Sequence, residues 1–374
     1  MGNPFRPTFG VTPPVLVGRD EQIEAFTEAL DDGPGAPGRA MLFSGARGTG
    51  KTVMLNALED AARLRGWLVI SQTARSGIAA EMRDTQIPDL LHRHVSGIVR
   101  NQLSGLTVTS PVGGLGVTRL RVDDHPEVAS LRSRLEILTD ALAEHDTGVL
   151  ITIDELHSGA RRDLTVITQT VQHLFREERE IAFLAAGLPH DVAALLDHPG
   201  TTFLRRAEHY TLTAVTDAEV HEALQVPIEV NERTISAEAL DIAAAGTRRY
   251  PFLIQLVGYH TWRADESAAE ITAAHARQGV KAATRRLGRL VHEPALNSLS
   301  EVDLRFLLAV AQDDGPSRMQ DIARRLGVDA SYAGQYRRRL IAAGLVAPAG
   351  YGKVDVAIPY LREHLRSRPV RELT

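Results

Sequence analysis

Gly45-Ala46-Arg47-Gly48-Thr49-Gly50-Lys51-Thr52 satisfies GxxxxGK[ST] at each constrained position. Glycines at 45, 48 and 50 let the backbone turn its N–H groups inward around phosphate oxygens, where side chains would obstruct them. The Lys51 ammonium can reach the β- and γ-phosphates, the Thr52 hydroxyl can ligate Mg2+, and a helix starting here points its positive end at the anion. Ala46, Arg47 and Thr49 complete the loop and Val53 opens the helix behind it, so all four belong with the nucleotide-binding set.

A second constellation lies downstream, where the apolar run Val149-Leu150-Ile151-Thr152-Ile153 ends in Asp154-Glu155. An acidic pair after a strand can be no more than a solvated loop. Coupled to a complete phosphate loop, it reads as Asp154 holding Mg2+ and Glu155 orienting or deprotonating the attacking water. Catalysis would then rest on positioning and charge neutralisation, with no covalent intermediate.

These residues need a strand, a loop and a helix in that order. Arg39 to Ser44 reads as a short buried strand before the loop, and Val53, Leu55, Leu58 and Leu64 mark the helix after it. Trp67 to Gln72, Gly148 to Asp154 and Ile181 to Ala186 read as further strands of a parallel sheet. Asp20 to Leu30, Val128 to His145 and Arg161 to Glu178 read as helices, as does Gly77 to Leu103 with a break near Pro88. Gly105 to Pro126, with alternating apolar residues around SPVGGLG, reads as a hairpin insertion or loop. Beyond Thr216 helices dominate. The expected fold class is α/β, a P-loop three-layer sandwich with a parallel sheet, followed by a helical lid and a winged helix-turn-helix domain. The expected bounds are 1–213, 214–291 and 298–374, with His292 to Leu299 as a linker.

Over about 1–290 the sequence resembles the AAA+ ATPases, and within them the members related to the Cdc6/Orc initiators and to the signalling ATPases called STAND. Val17-Gly18-Arg19-Asp20-Glu21 looks like the family's N-terminal box, which would put Gly18 and Arg19 near the adenine. Phe203-Leu204-Arg205-Arg206 resembles the stretch that offers an arginine finger to a neighbouring subunit, although Arg205 and Arg206 also fit a plain surface pair. Gly246-Thr247-Arg248-Arg249-Tyr250-Pro251 resembles the start of the sensor 2 helix, with Arg248 or Arg249 near the γ-phosphate and Arg249 favoured by spacing. The family's polar sensor is missing, because the strand from Ile181 runs into Ala185-Ala186-Gly187-Leu188-Pro189. The resemblance therefore implies an ATP- and ADP-binding, slowly hydrolysing switch.

The C-terminal stretch carries a second pattern. Ser300 and Asp303 form a capping-box start, Met319 to Leu326 and Ser331 to Ala343 read as two helices about a turn at Gly327, and Leu345 to Ile358 reads as two strands around Ala349-Gly350-Tyr351-Gly352. The whole looks like a winged helix. On its third helix Ala333, Tyr336 and Leu340 share the core face, so Ser331, Gln335 and Arg338 project where base edges would lie. Arg337, Arg339 and Lys353 are the expected phosphate contacts.

Composition bounds the rest. The 374 residues contain no cysteine, which excludes disulfides, thiol nucleophiles and cysteine-ligated metal. No HExxH is present, and His92 and His94 are spaced to face differently on a helix. His157, beyond Glu155, reads as a helix cap. Lys51, Lys281 and Lys353 are the only lysines, so arginine richness is a general bias of the chain. The net charge of -5 opposes wrapping nucleic acid over the whole surface, but residues 298–374 carry 12 basic against 9 acidic groups. No apolar run reaches the ~18 residues of a membrane span, and no secretory signal opens the chain, so a cytoplasmic, nucleoid-associated protein without membrane contact is expected. Duplex DNA, a protein partner and a second copy of the chain are the expected partners. Two other outputs stand beside DNA control: a signalling scaffold whose winged helix docks a protein, and a loader in replication, transposition or defence.

Overall fold

The computed structural model describes residues 2–8, 10–95 and 130–367. Five strands, β1 (Ala40–Gly45), β2 (Leu68–Thr73), β3 (Val149–Leu156), β4 (Ile181–Gly187) and β5 (Glu208–Leu212), pair in the order β2-β3-β4-β1-β5. Every pairing is parallel, with Leu42 opposite Ala185 and Ile151 opposite Phe183. Parallel strands need crossovers that cover both faces. On one face α3 (Leu131–Ala143) and α4 (Arg161–Arg176) pack Leu135, Leu138, Ile167 and Val171 against Ile151 and Phe183. On the other, α1 (Asp20–Asp31) and α2 (Lys51–Leu64) pack Phe26, Met54 and Leu58 against Met41, Phe43 and Leu184. This is the expected three-layer arrangement, and it leaves the C-terminal strand ends open as the ligand-binding edge. At the opposite edge the buried Arg39 donates to the Ala29 and Leu30 carbonyls at the end of α1 and pairs with Glu180 at 2.6 Å.

After α5 (Pro189–Asp197) and β5 the chain becomes helical. α6 (Asp217–Val230) starts with a reciprocal Thr216/Glu219 capping box, and α7 (Ala237–Thr247), α8 (Pro251–Trp262) and α9 (Ala273–Leu287) pack on it around Leu224, Leu253, Val257 and Ala276. Short strands β6 (Thr234–Ile235) and β7 (Glu270–Ile271) pair alongside. The proline-rich N-terminal segment joins this bundle. Phe5 is buried against α8, where a Cβ on Gly258 would stand 2.4 Å from its ring, and Asn3 donates to the Tyr259 carbonyl.

The last elements are α10 (Glu301–Ala311), β8 (Ser317–Arg318), α11 (Met319–Leu326), α12 (Ala330–Ala342), β9 (Val346–Pro348), β10 (Lys353–Val356) and α13 (Leu361–Ser367). The three strands pair antiparallel in the order β8-β10-β9. These helices and the small sheet pack around Phe306, Ile322, Leu340 and Val354.

Two expectations need correction. Residues 78–95 are helical straight through Pro88, because a π-turn at Met82–Gln86 precedes the proline and widens the helix where its ring would strike a carbonyl. The stretch expected as a linker is helical as well. A π-turn at Gly288–His292 leads into Glu293–Asn297, with Pro294 in the first turn, where its missing N–H is harmless. The insertion expected at 105–126 lies outside the described residues.

Candidate nucleotide-binding site

The loop between β1 and α2 sits at the open edge of the sheet. α2 begins after Gly50 with no side-chain cap, so its first N–H groups face the loop. Lys51 folds over it, donating to the carbonyls of Gly45 at 2.9 Å and Ala46 at 2.8 Å. Burial lowers the Lys51 pKa, while Asp154 and Glu155 draw it back up. The buried Thr49 hydroxyl closes the turn on the Ala46 carbonyl at 2.9 Å.

Strand β3 brings the acidic pair to this loop. Thr52 donates its hydroxyl hydrogen to Asp154 Oδ2 at 2.5 Å, and Asp154 Oδ1 accepts the Glu155 N–H at 2.7 Å. Glu155 is exposed and adopts a left-handed backbone, φ 52°, within a register shift of β3 between Ile153 and Leu156. A non-glycine residue there costs about 1–2 kcal/mol, and such strain gathers at functional positions. One strand turn earlier, Thr152 donates to the buried Glu59 of α2 at 2.5 Å, which fixes the helix behind the loop against the strand bearing the carboxylates.

The end of β4 has little room for a side chain. Gly187 ends β4 opposite Leu156, and a Cβ there would stand 2.8 Å from the Leu156 Cβ. Ala185 and Ala186 are fully buried.

The N-terminal box closes the site from the side. Arg19 reaches the Thr49 and Thr213 carbonyls at 3.4 Å, and burial lowers its pKa against the pull of Glu219. Gly18, φ 64°, lies against the Glu219 carboxylate. Gly10 adds a wall the sequence did not announce: its carbonyl accepts from Asn56, and a Cβ on it would stand 3.7 Å from the Thr52 methyl.

From the helical bundle, the residue that meets the loop is Tyr250, whose hydroxyl donates to the Arg47 carbonyl at 2.5 Å. Arg249 stays more than half exposed, 3.9 Å from Asp217. Arg248 turns to the C-terminal elements, where it pairs with Glu363 at 2.5 Å and lies 4.0 Å over the Tyr360 ring. Arg205 folds back on the Leu196 carbonyl and Asp197, while Arg206 is exposed and makes no ion pair among the described residues. His157 accepts the Gly159 N–H at 3.1 Å, a capping contact. Among the described residues no cluster of His, Asp or Glu forms a metal cage.

On α12, Ala333 and Leu340 are buried and Ser331, Gln335 and Arg338 are exposed. Arg337 is half-buried. Arg339, expected on phosphate, instead pairs with the buried Asp303 at 2.7 Å and lies over the Tyr336 ring, since an uncompensated buried carboxylate would be costly. Lys353 of β10 stands opposite Arg318 of β8. At the end of α12, a methyl group on Gly344 would lie 3.8 Å from Leu188 and 3.9 Å from the Arg47 side chain, so this turn adjoins the phosphate loop.

Residues 15–184 match the family model of the AAA ATPase domain, and residues 289–365 match a family described as a domain of unknown function, DUF8462. No curated protein matches the chain. Among solved structures, the ORC2 protein of Aeropyrum pernix in ADPNP-ADP complexes is similar at 16% identity, over 96% of both chains, with a TM-score of 0.63. A Walker-type ATPase of Pyrococcus abyssi is similar at 16% identity, over 94% of this chain and 96% of that one, with a TM-score of 0.64. No helix among the described residues is long and apolar enough to cross a membrane.

Proposed function

We propose that this chain, an AAA+ ATPase with the overall fold of those archaeal proteins, is a slow nucleotide switch that controls contact with duplex DNA through a C-terminal winged helix. Its working parts are the nucleotide domain at 1–213, the lid at 214–291 and the winged helix at 298–374. Lys51 neutralises the terminal phosphates of ATP and the loop N–H groups cradle them. Thr52 and Asp154, already in contact, are the donors that would hold Mg2+, which supplies charge neutralisation on the phosphates when bound. Glu155 positions or deprotonates the attacking water. Slow turnover follows from Gly187, which places no polar side chain between β3 and β4.

The DNA output is carried by one observation. The α12 face of Ser331, Gln335 and Arg338 is exposed, and none of the three has a side-chain hydrogen bond or ion pair among the described residues. Their heads are free to meet base edges in a major groove. The test is binding to genomic duplex fragments at near-physiological salt with ATP, with ADP and without nucleotide. Binding that changes with nucleotide is expected, and Arg338→Ala should weaken it about tenfold while leaving ATP affinity alone.

A second reading, a signalling ATPase whose C-terminal domain works by docking, is favoured by the approach of Gly344 to Arg47 and by the pairing of Arg339 with Asp303. Absence of DNA binding in all three states, or equal binding by Arg338→Ala, would select it.

A further inference from the structure

We infer that Tyr250 is a positioning residue of the nucleotide site: its hydroxyl holds the Arg47–Gly48 peptide so that the Gly48 N–H is turned into the phosphate cradle. The inference rests on the nucleotide reading of the loop and is independent of any DNA output. A trans peptide points its C=O and N–H in opposite directions. With the Arg47 carbonyl held at 2.5 Å by the tyrosine outside the loop, the next N–H faces away from the tyrosine. Were this peptide to flip, a carbonyl would face the anion in place of a donor.

The fit between the two groups is close. Gly48 has φ 74°, and a Cβ on it would fall 2.0 Å from the Tyr250 oxygen, so loop and lid interlock at a position only glycine can occupy. The phenol is buried, and burial raises its pKa, so it remains a donor throughout the working range of pH.

The backbone that delivers the ring is itself constrained. Arg248 and Arg249 are both left-handed, φ 48° and 58°, between the end of α7 and Pro251 at the start of α8. Three hydrogen bonds hold the turn: the Arg249 N–H to the Thr247 hydroxyl, the Tyr250 N–H to the Thr247 carbonyl, and the Val215 N–H to the Arg249 carbonyl. Two consecutive left-handed non-glycine residues persist only where surrounding contacts over-determine them. Here the result is a tyrosine fixed over the phosphate loop.

The test compares Tyr250→Phe with Tyr259→Phe in the full chain. Tyr259 lies on α8, the helix that Tyr250 precedes, and its hydroxyl accepts from Arg263, so the control removes the same atom without touching the loop. Dissociation constants are measured for ATP, ADP and inorganic triphosphate, the last reporting on the phosphate cradle without the base. Tyr250→Phe should weaken all three by about five- to tenfold, as loss of one hydrogen bond implies, while Tyr259→Phe matches the parent. Parent-like binding by Tyr250→Phe overturns the inference and leaves the nucleotide site standing. Equal weakening in both variants also overturns it, because the loss would then belong to the lid in general. Failure of the parent chain to bind any of the three overturns the nucleotide reading as well.

Discussion

His292 makes the junction between the helical bundle and the C-terminal elements sensitive to acid. The ring is buried in the π-turn after α9. Nε2 contacts the Pro359 carbonyl at 3.0 Å, and as donor it leaves Nδ1 unprotonated; Nδ1 is buried with no partner among the described residues. Burial, reinforced by the His364 ring 5.0 Å away, pushes the pKa down to about 4 against the pull of the Pro359 carbonyl and Glu363. An unfolded histidine titrates near 6.5, so the unfolded chain takes up the proton first as pH falls. The contribution to stability is complete above about pH 6.5 and disappears as pH drops towards 4. At pH 5 the linkage relation for those two values gives a loss of about 2 kcal/mol. The measurement is urea unfolding followed by tryptophan fluorescence at pH 7 and pH 5, for the parent and for His292→Leu. The leucine removes the proton site while filling the space. The parent should lose about 2 kcal/mol more than the variant between the two conditions. Identical pH dependence in the two proteins would refute the argument.

Gly187→Asn, which would install the absent polar sensor, should lower the melting temperature through an overpacking cost of about 1–3 kcal/mol against Leu156, with no gain in phosphate release. A stable variant with faster turnover would show that β3 and β4 can part there. Glu155→Gln should bind ATP as the parent does and hydrolyse it at least about a hundredfold more slowly in a phosphate-release assay. Undiminished turnover would remove Glu155 from the chemistry.

The sheet, the phosphate loop and the acidic pair were legible in the sequence because each depends on local backbone needs: apolar runs for buried strands, glycines for inward N–H groups, carboxylates at a strand end. The core face of α12 was legible for the same reason, as helical periodicity alone separates Ala333 and Leu340 from Ser331 and Gln335. What stayed hidden depends on distant partners. Tyr250 reads as an ordinary residue before a helix-starting proline, and only the folded chain brings it to a carbonyl more than two hundred positions earlier. Spacing favours Arg249 over Arg248 for the γ-phosphate, and nothing in the sequence announces that Arg249 adjoins Asp217 while Arg248 turns to Glu363. The buried Arg39 was lost among many arginines. Pro88 reads as a helix break, since nothing in a sequence marks the π-turn that makes room for it.

Tyr250 on Arg47, Arg248 on Glu363 and Gly344 beside Arg47 join three bodies in a closed circuit: loop to lid, lid to C-terminal elements, and those elements back to the loop. Each link alone is weak: one is a single hydroxyl, another a half-exposed ion pair and the third no more than proximity. In a circuit, however, every contact meets its partner at an effective concentration set by the other two. Breaking one edge therefore lowers the occupancy of the remaining pair, and the three should release together in one transition. A perturbation at the phosphate loop would then be felt at Glu363 without any contact between them.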